Sequence, residues 1–240
     1  MKKITSRKFH RLLSIVIGIQ LLLWTVSGLI FSWNPIKKVR GEDRIRQQEP
    51  LDLSSWELKD INEIIESNQN AKATVHQVKL KDILGKPVYE LSISGAQEKS
   101  RLVHAVTGEV LSPISKTLAE DIALNDFSEG ALIKKSEFIE SDLGPHSEYR
   151  KKEIPVWRVE LDHSSGTVIY VSAHRGEVVT RRNNRWRMFD FFWMLHTMDY
   201  QGRDNFNSWL LRIMSAFGVL SVLTGYWLWF RTRKKTRKQS

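Results

Sequence analysis

His10 and His196 are the residues of this chain whose type and setting best suit ligand chemistry. A neutral imidazole binds metals, iron included, and each of these histidines borders a strongly apolar stretch. Little else in the sequence assembles into chemistry. There is no Gly-x-Ser-x-Gly, His-Glu-x-x-His, Walker or dinucleotide fingerprint, and no residue is spaced as a nucleophile with its base. Cysteine is absent, which excludes disulfides, thiolate metal sites, iron–sulfur clusters and a cysteine nucleophile. His104 and His146 are scattered. His163 and His174 flank a predicted hairpin and can meet across it, but without a carboxylate such a pair reads as solvated. No catalytic residue and no metal site is expected.

Two apolar segments of 22 residues, Leu12 to Trp33 and Trp209 to Phe230, must position those histidines. As a helix each is about 33 Å long, against a hydrocarbon core of about 30 Å. The first carries no charge, and the second carries only Arg212 near its start, where a long side chain can snorkel. Trp33 and Trp209 mark one water boundary, Trp227 and Trp229 the other. Lys2, Lys3, Arg7, Lys8 and Arg11 precede the first segment; Arg231, Arg233, Lys234, Lys235, Arg237 and Lys238 follow the second. This bias predicts both termini in the cytoplasm and the intervening residues exported. Phe31-Ser32-Trp33 is no small-x-small cleavage site, so the first segment reads as an uncleaved signal anchor. His10 then lies at the cytoplasmic end and His196 on the exported side, roughly 30 Å apart, and the two are not expected to share one iron.

The same topology explains the net charge of +10. The two flanks hold eleven of the 37 Lys and Arg and none of the 27 Asp and Glu, which leaves the remainder nearly neutral. The excess is a topology signal that also favours anionic lipid, and nucleic acid is not an expected partner.

Between the spans the chain repeats. Pro87-Val88-Tyr89-Glu90-Leu91-Ser92-Ile93 aligns with Pro155-Val156-Trp157-Arg158-Val159-Glu160-Leu161, and Gly108-Glu109-Val110 with Gly176-Glu177-Val178, both at an offset of 68. The blocks alternate as half-buried strands do, and second strands follow at Arg101 to Val106 and Thr167 to Ala173. Ser54 to Ser67 reads as an amphipathic helix capped by Ser54 or Ser55, Thr74 to Leu80 as a strand, Leu118 to Phe127 as a second helix, and Leu143 to Lys152 as a polar loop. The fold class is α+β: two helix-on-antiparallel-sheet units flanked by two transmembrane helices. The expected order is a basic tail (1–11), a span (12–33), a linker (34–50), two units (51–115 and 116–182), an interfacial helix (185–200), a second span (209–230) and a basic tail (231–240).

The segment from Arg185 to Tyr200 holds seven aromatic rings counting His196, and no Gly or Pro. As a helix it places Trp186, Phe189, Phe192 and Trp193 on one face, read as an interfacial helix on the outer leaflet or packed under the sheet, or as a docking face for a redox partner or apolar substrate. Small residues at helical spacing, Ser14 with Gly18 and Gly218 with Ser221 and Gly225, suit close helix packing, either between the two spans or in a homodimer. Gln20, near mid-span, is expected to seek an interhelical partner.

The tandem strand blocks closed by Thr107-Gly108-Glu109-Val110 and Arg175-Gly176-Glu177-Val178 resemble PepSY domains. With Phe9-His10-Arg11, Ser27-Gly28, Leu195-His196-Thr197 and Leu223-Thr224-Gly225 in the flanks, nearly the whole chain resembles the PepSY-associated transmembrane family. That resemblance implies an inner-membrane, multi-pass protein presenting PepSY-like units to the periplasm, where they scaffold or regulate an envelope partner; a peptidase-restraining role is one version. Some larger members are similar to haem-bearing reductases of iron or siderophore uptake. The resemblance therefore implies, as an alternative, haem b held by His10 or His196 in an electron-transfer component, with ligands completed by a second copy or subunit. Ser94-Gly95-Ala96-Gln97 is similar to a covalent-FMN motif, but Gln97 stands where the acceptor threonine would, so no flavin is expected.

Overall fold

The computed structural model describes residues 6–69, 73–95 and 99–236 of the 240. Lys2, Lys3, Arg237, Lys238, Ala96 and Gln97 lie outside the described residues. The chain divides into two units, residues 36–187 and residues 1–35 with 188–240.

The second of these units is helical. α1 (Ser6–Trp33) and α6 (Trp209–Thr236) contain the two stretches long and apolar enough to cross a membrane, His10–Trp33 and Trp209–Arg231. A helix satisfies every interior backbone group within itself, as a lipid-embedded segment must. The two run antiparallel: His10 faces Thr224, and Ser14 faces Ser221. Ile17 and Gln20 are buried further along α1, at the spacing that helix pairs use, and buried Ser27 meets α5. α5 (Asn184–Thr197) precedes α6 and contributes to both units.

The other unit carries two antiparallel sheets. α2 (Ile36–Arg40) leads to α3 (Ile61–Asn68), then β1 (Thr74–Ile83), β2 (Lys86–Ser94) and β3 (Ser100–His104) in the order β1-β2-β3. α4 (Lys116–Asp126) leads to β4 (Leu132–Ile139), β5 (Val156–Asp162), β6 (Val168–Ser172) and β7 (Val178–Arg182), ordered β4-β5-β6-β7. α3 is shorter than the sequence predicts. Asp60, not Ser54 or Ser55, caps it by accepting from the Asn62 N–H, because Lys59 is drawn out of helix by its N–H bond to the Ala105 carbonyl (2.9 Å). α4 starts where Ser115 accepts from the Leu118 N–H (3.2 Å).

Backbone bonds recur between the sheets at the offset of 68. His104 N–H donates to Glu109 O (2.8 Å) as Ser172 N–H does to Glu177 O (2.9 Å), and Ala105 N–H donates to Pro87 O (3.0 Å) as Ala173 N–H does to Pro155 O (3.1 Å). A register shift falls opposite Ile93 in one sheet and opposite Leu161 in the other. The sheets differ after the closing turn. Val110 makes only an isolated bridge to Val103, whereas β7 pairs along its length with β6. Pro113, lacking an N–H, stands where the second sheet has the paired Arg181.

One core joins both sheets. Ile83, Val88, Leu102 and Ile114 pack with Ala119, Ile122 and Ala123 of α4, with Phe127 just past its end, and with Val159, Leu161, Ile169 and Val171. Gly176 makes this close approach possible. Its φ is +57°, and a Cβ there would stand 2.9 Å from both Ile83 Cδ1 and Leu102 Cδ1. Lys81 adds a polar clasp, bonding Glu90 (2.7 Å) and Glu177 (2.6 Å).

Candidate functional site

The last two turns of α5 lie along α1. Phe31 of α1 sits 4.5 Å from Phe189, 5.8 Å from Trp193 and 5.5 Å from His196, ring centre to ring centre. Trp24 Nε1 donates to the His196 carbonyl (2.8 Å). Ser27 is wholly buried and donates its one hydrogen to Leu23 O (2.7 Å). At the 2.7 Å contact between Ser27 Oγ and His196 Nδ1 the imidazole is therefore the donor. Its Nε2 keeps the lone pair, and burial lowers the ring's pKa, which favours the neutral form.

His10 follows the same pattern. Thr224 Oγ1 donates to Leu220 O (2.7 Å), so His10 Nδ1 donates to Thr224 Oγ1 (2.9 Å). Ser14 Oγ lies 3.4 Å from His10 Nε2 and 3.3 Å from Ser221 Oγ. A Cβ on Gly225 would come within 3.3 Å of His10 Cε1. His10, Ser14, Ser221 and Gly225 thus form one helix contact. Gly18 and Gly218 do not make such an approach: a Cβ at either would meet nothing within 4 Å. Gln20 is buried, but its Nε2 finds no acceptor. The two histidines are not brought together. His10 is on the first turns of α1, while His196 meets α1 at Trp24 and beyond, at least about 21 Å further along the helix.

The aromatic residues of α5 do not share one free face. Trp186 is stacked under the Arg182 guanidinium at 4.1 Å, with that of Arg150 at 5.7 Å. Phe189 and Trp193 are taken up by Phe31, and Phe192 meets Phe191 edge-on. The helical period carries their stripe on to buried Asp190 and Thr197, whereas Met188 and Phe191 are the exposed large apolar side chains. Asp190 is bound by Arg203. Asp199 closes the corner before α6, accepting from the N–H groups of Gly202 (3.1 Å), Asp204 (3.0 Å) and Asn205 (2.8 Å).

In the sheet unit, His163 and His174 do not meet. His163 bonds Glu129 (3.2 Å) and Ser165 (2.8 Å) at the β5–β6 turn, and His174 lies past the other end of β6. No cluster of three or more metal-ligating side chains occurs among the described residues.

A groove of about 740 Å³ lies beside His174. Pro113, Phe138, Ile154 and Pro155 give it an apolar floor, and Lys99, Arg175, Glu140 and Glu153 give it charges of both signs. His174 Nδ1 and Arg175 Nε are buried there without hydrogen-bond partners. One open strand edge, that of β4, and the end of β3 border it. Leu102 turns its N–H and C=O away from β2, to Ser112 Oγ (2.7 Å) and Leu111 N (2.8 Å). The alternation of an antiparallel ladder turns Ser100 the same way. By the same alternation, counted from Ser172 through β6 and β5, Phe138 on edge strand β4 turns its N–H and C=O away from β5. Both Ser100 and Phe138 line the groove. The sequence shows no groove, because five separate segments build it. The one local signal is that His174 and Arg175 immediately precede the Gly-Glu-Val turn.

The family model for the PepSY-associated TM region matches residues 7–240. Comparison with curated proteins and with solved structures returns no match.

Proposed function

Because the chain belongs to the PepSY-associated transmembrane family, and is a membrane protein with two apolar helices, we propose that it is an inner-membrane-anchored interaction module that scaffolds or regulates an envelope partner. Both termini lie in the cytoplasm, and the two sheets, read as copies of one PepSY-like unit, face the periplasm. The observation that carries this reading is the groove bordered by the open edge of β4. An extended polypeptide segment can add to a free edge while its side chains use the apolar floor. Restraint of a peptidase is one form such binding takes. Crosslinking in intact cells tests the proposal: capture of a defined envelope protein is the expected result, and no captured protein removes it. Topology is tested separately by a reporter active only outside the cytoplasm, which is expected to work after Gln97 and be silent after Ser240.

A second reading is favoured by the shared geometry of His10 and His196. Each donates Nδ1–H to a hydroxyl that is itself bonded back to its helix, which leaves the Nε2 lone pair of His196 available, whereas His10 Nε2 already faces Ser14 Oγ at 3.4 Å. Haem b held this way would supply one-electron transfer. The imidazoles fit as single ligands but not as a pair on one iron within one chain, so the site requires a second copy or subunit. A purified membrane fraction from haem-replete cells is expected to show a Soret band on this reading, lost in His196→Ala or His10→Ala; a colourless preparation ends it.

A further inference from the structure

A smaller recess, of about 250 Å³, lies in the sheet unit between α2, the β5–β6 turn and the start of α5. Three cations line it: Lys38, Arg44 and Arg185. Lys38 and Arg185 are exposed, and neither forms an ion pair among the described residues. Asp43 is the one acidic side chain in the lining, so positive charge prevails. Ser164, Ser165 and Asn184 add neutral hydrogen-bonding groups.

The recess is built in advance of any ligand. Arg44 Nε bonds Glu129 (3.1 Å), Glu129 bonds His163 (3.2 Å), and His163 Nδ1 holds Ser165 Oγ (2.8 Å). Two lining residues are thus the ends of one bonded chain. On the other wall, Asn183 Nδ2 donates to Lys38 O (3.2 Å), and Gly41, at φ +72°, lets this approach occur. A rigid, polar and cationic recess of this size suits a compact tetrahedral anion.

We infer that this recess binds a phosphate group, with an anionic lipid headgroup as its source. Lys38 follows Trp33, the last residue of α1, by five residues, a reach of no more than about 18 Å. Covalent linkage therefore keeps the recess within reach of the headgroup layer. This goes beyond partner binding, and it uses none of the groove residues.

The test uses the full chain purified in a neutral detergent. Its thermal midpoint is measured with phosphatidylglycerol, phosphatidylcholine or inorganic phosphate added. At a hundredfold excess over the dissociation constant, phosphatidylglycerol is expected to raise the midpoint by about 5–10 °C, and phosphatidylcholine by much less. The double variant Lys38→Gln/Arg185→Gln is expected to lose that shift while keeping its circular dichroism and its lipid-free midpoint. Lys234→Gln/Lys235→Gln, in the basic tail, is expected to keep it. Two results overturn the inference: no shift in the natural chain, or a full shift in Lys38→Gln/Arg185→Gln. An equal shift with inorganic phosphate alone overturns the lipid source and leaves a soluble phosphate as the ligand.

Discussion

Ser27 Oγ and His196 Nδ1 face each other at 2.7 Å, joining two helices 169 positions apart in sequence. Ser27 serves as acceptor because its hydrogen is already committed to Leu23. Replacing it with alanine leaves the N–H of the half-buried imidazole without its partner, at a cost of about 1 kcal/mol. Ser27→Ala is expected to lower the thermal midpoint by several degrees, and Ser27→Thr by much less. An unchanged midpoint in Ser27→Ala would show that α5 is not held to α1 through this bond.

The spans offer a covalent test, since the natural chain has no cysteine. Ser14 and Ser221 place their hydroxyl oxygens 3.3 Å apart, within the range a disulfide spans after small adjustment. Ser14→Cys/Ser221→Cys is expected to oxidise within one chain, giving faster gel mobility and no dimer. A product that forms only between chains would place this face in a homodimer instead.

Gly108 and Gly176 occupy matching turns with unequal surroundings. A Cβ at Gly108 meets only the flexible Lys59 chain, whereas at Gly176 it meets two core methyl groups at 2.9 Å. Gly108→Ala is expected to cost about 1 kcal/mol from its positive φ alone. Gly176→Ala adds overpacking of about 1–3 kcal/mol. Denaturant titration checks this: equal shifts for the two variants would contradict a shared core closed by Gly176.

Asp199 sets an acid limit. Burial pushes its carboxyl up, but N–H donors from Asn205, Gly202, Asp204 and Gln201 outweigh this and hold it below the ordinary value of 3.8. The unfolded chain then takes up its proton first as pH falls. The stabilisation is complete above about pH 4 and disappears as pH drops through the folded value. Asp199→Asn is expected to be less stable at pH 7 and to lose less stability between pH 4 and pH 3. Identical acid slopes in the two proteins would contradict this.

The spans, the strand blocks and the closing turns were legible in the sequence because each is a local pattern: an unbroken apolar run, an alternation, a glycine at positive φ. The start of α3 was not, since Leu58, Ile61, Ile64 and Ile65 fit a longer helix until the sheet claims Lys59. Which of the small residues face the other helix was not legible, because spacing alone leaves the rotation of each helix open: Gly225 approaches His10, whereas Gly18 and Gly218 face open space. The aromatic run from Arg185 to Tyr200 reads as an interfacial or docking helix, and its spacing gives no sign that Phe31 covers Phe189 and Trp193. The groove was invisible, because Ser100, Phe138 and His174 meet only once both sheets close on one core.

The most direct measurement is site-specific photo-crosslinking from the groove in intact cells. Phe138 lies in the groove, and Leu132, at the other end of the same strand, is 75% exposed outside it. With p-benzoylphenylalanine at position 138, the expected result is a discrete adduct with one envelope protein, absent when the probe stands at position 132. No adduct at 138, or the same adducts from both positions, would contradict a partner-binding groove.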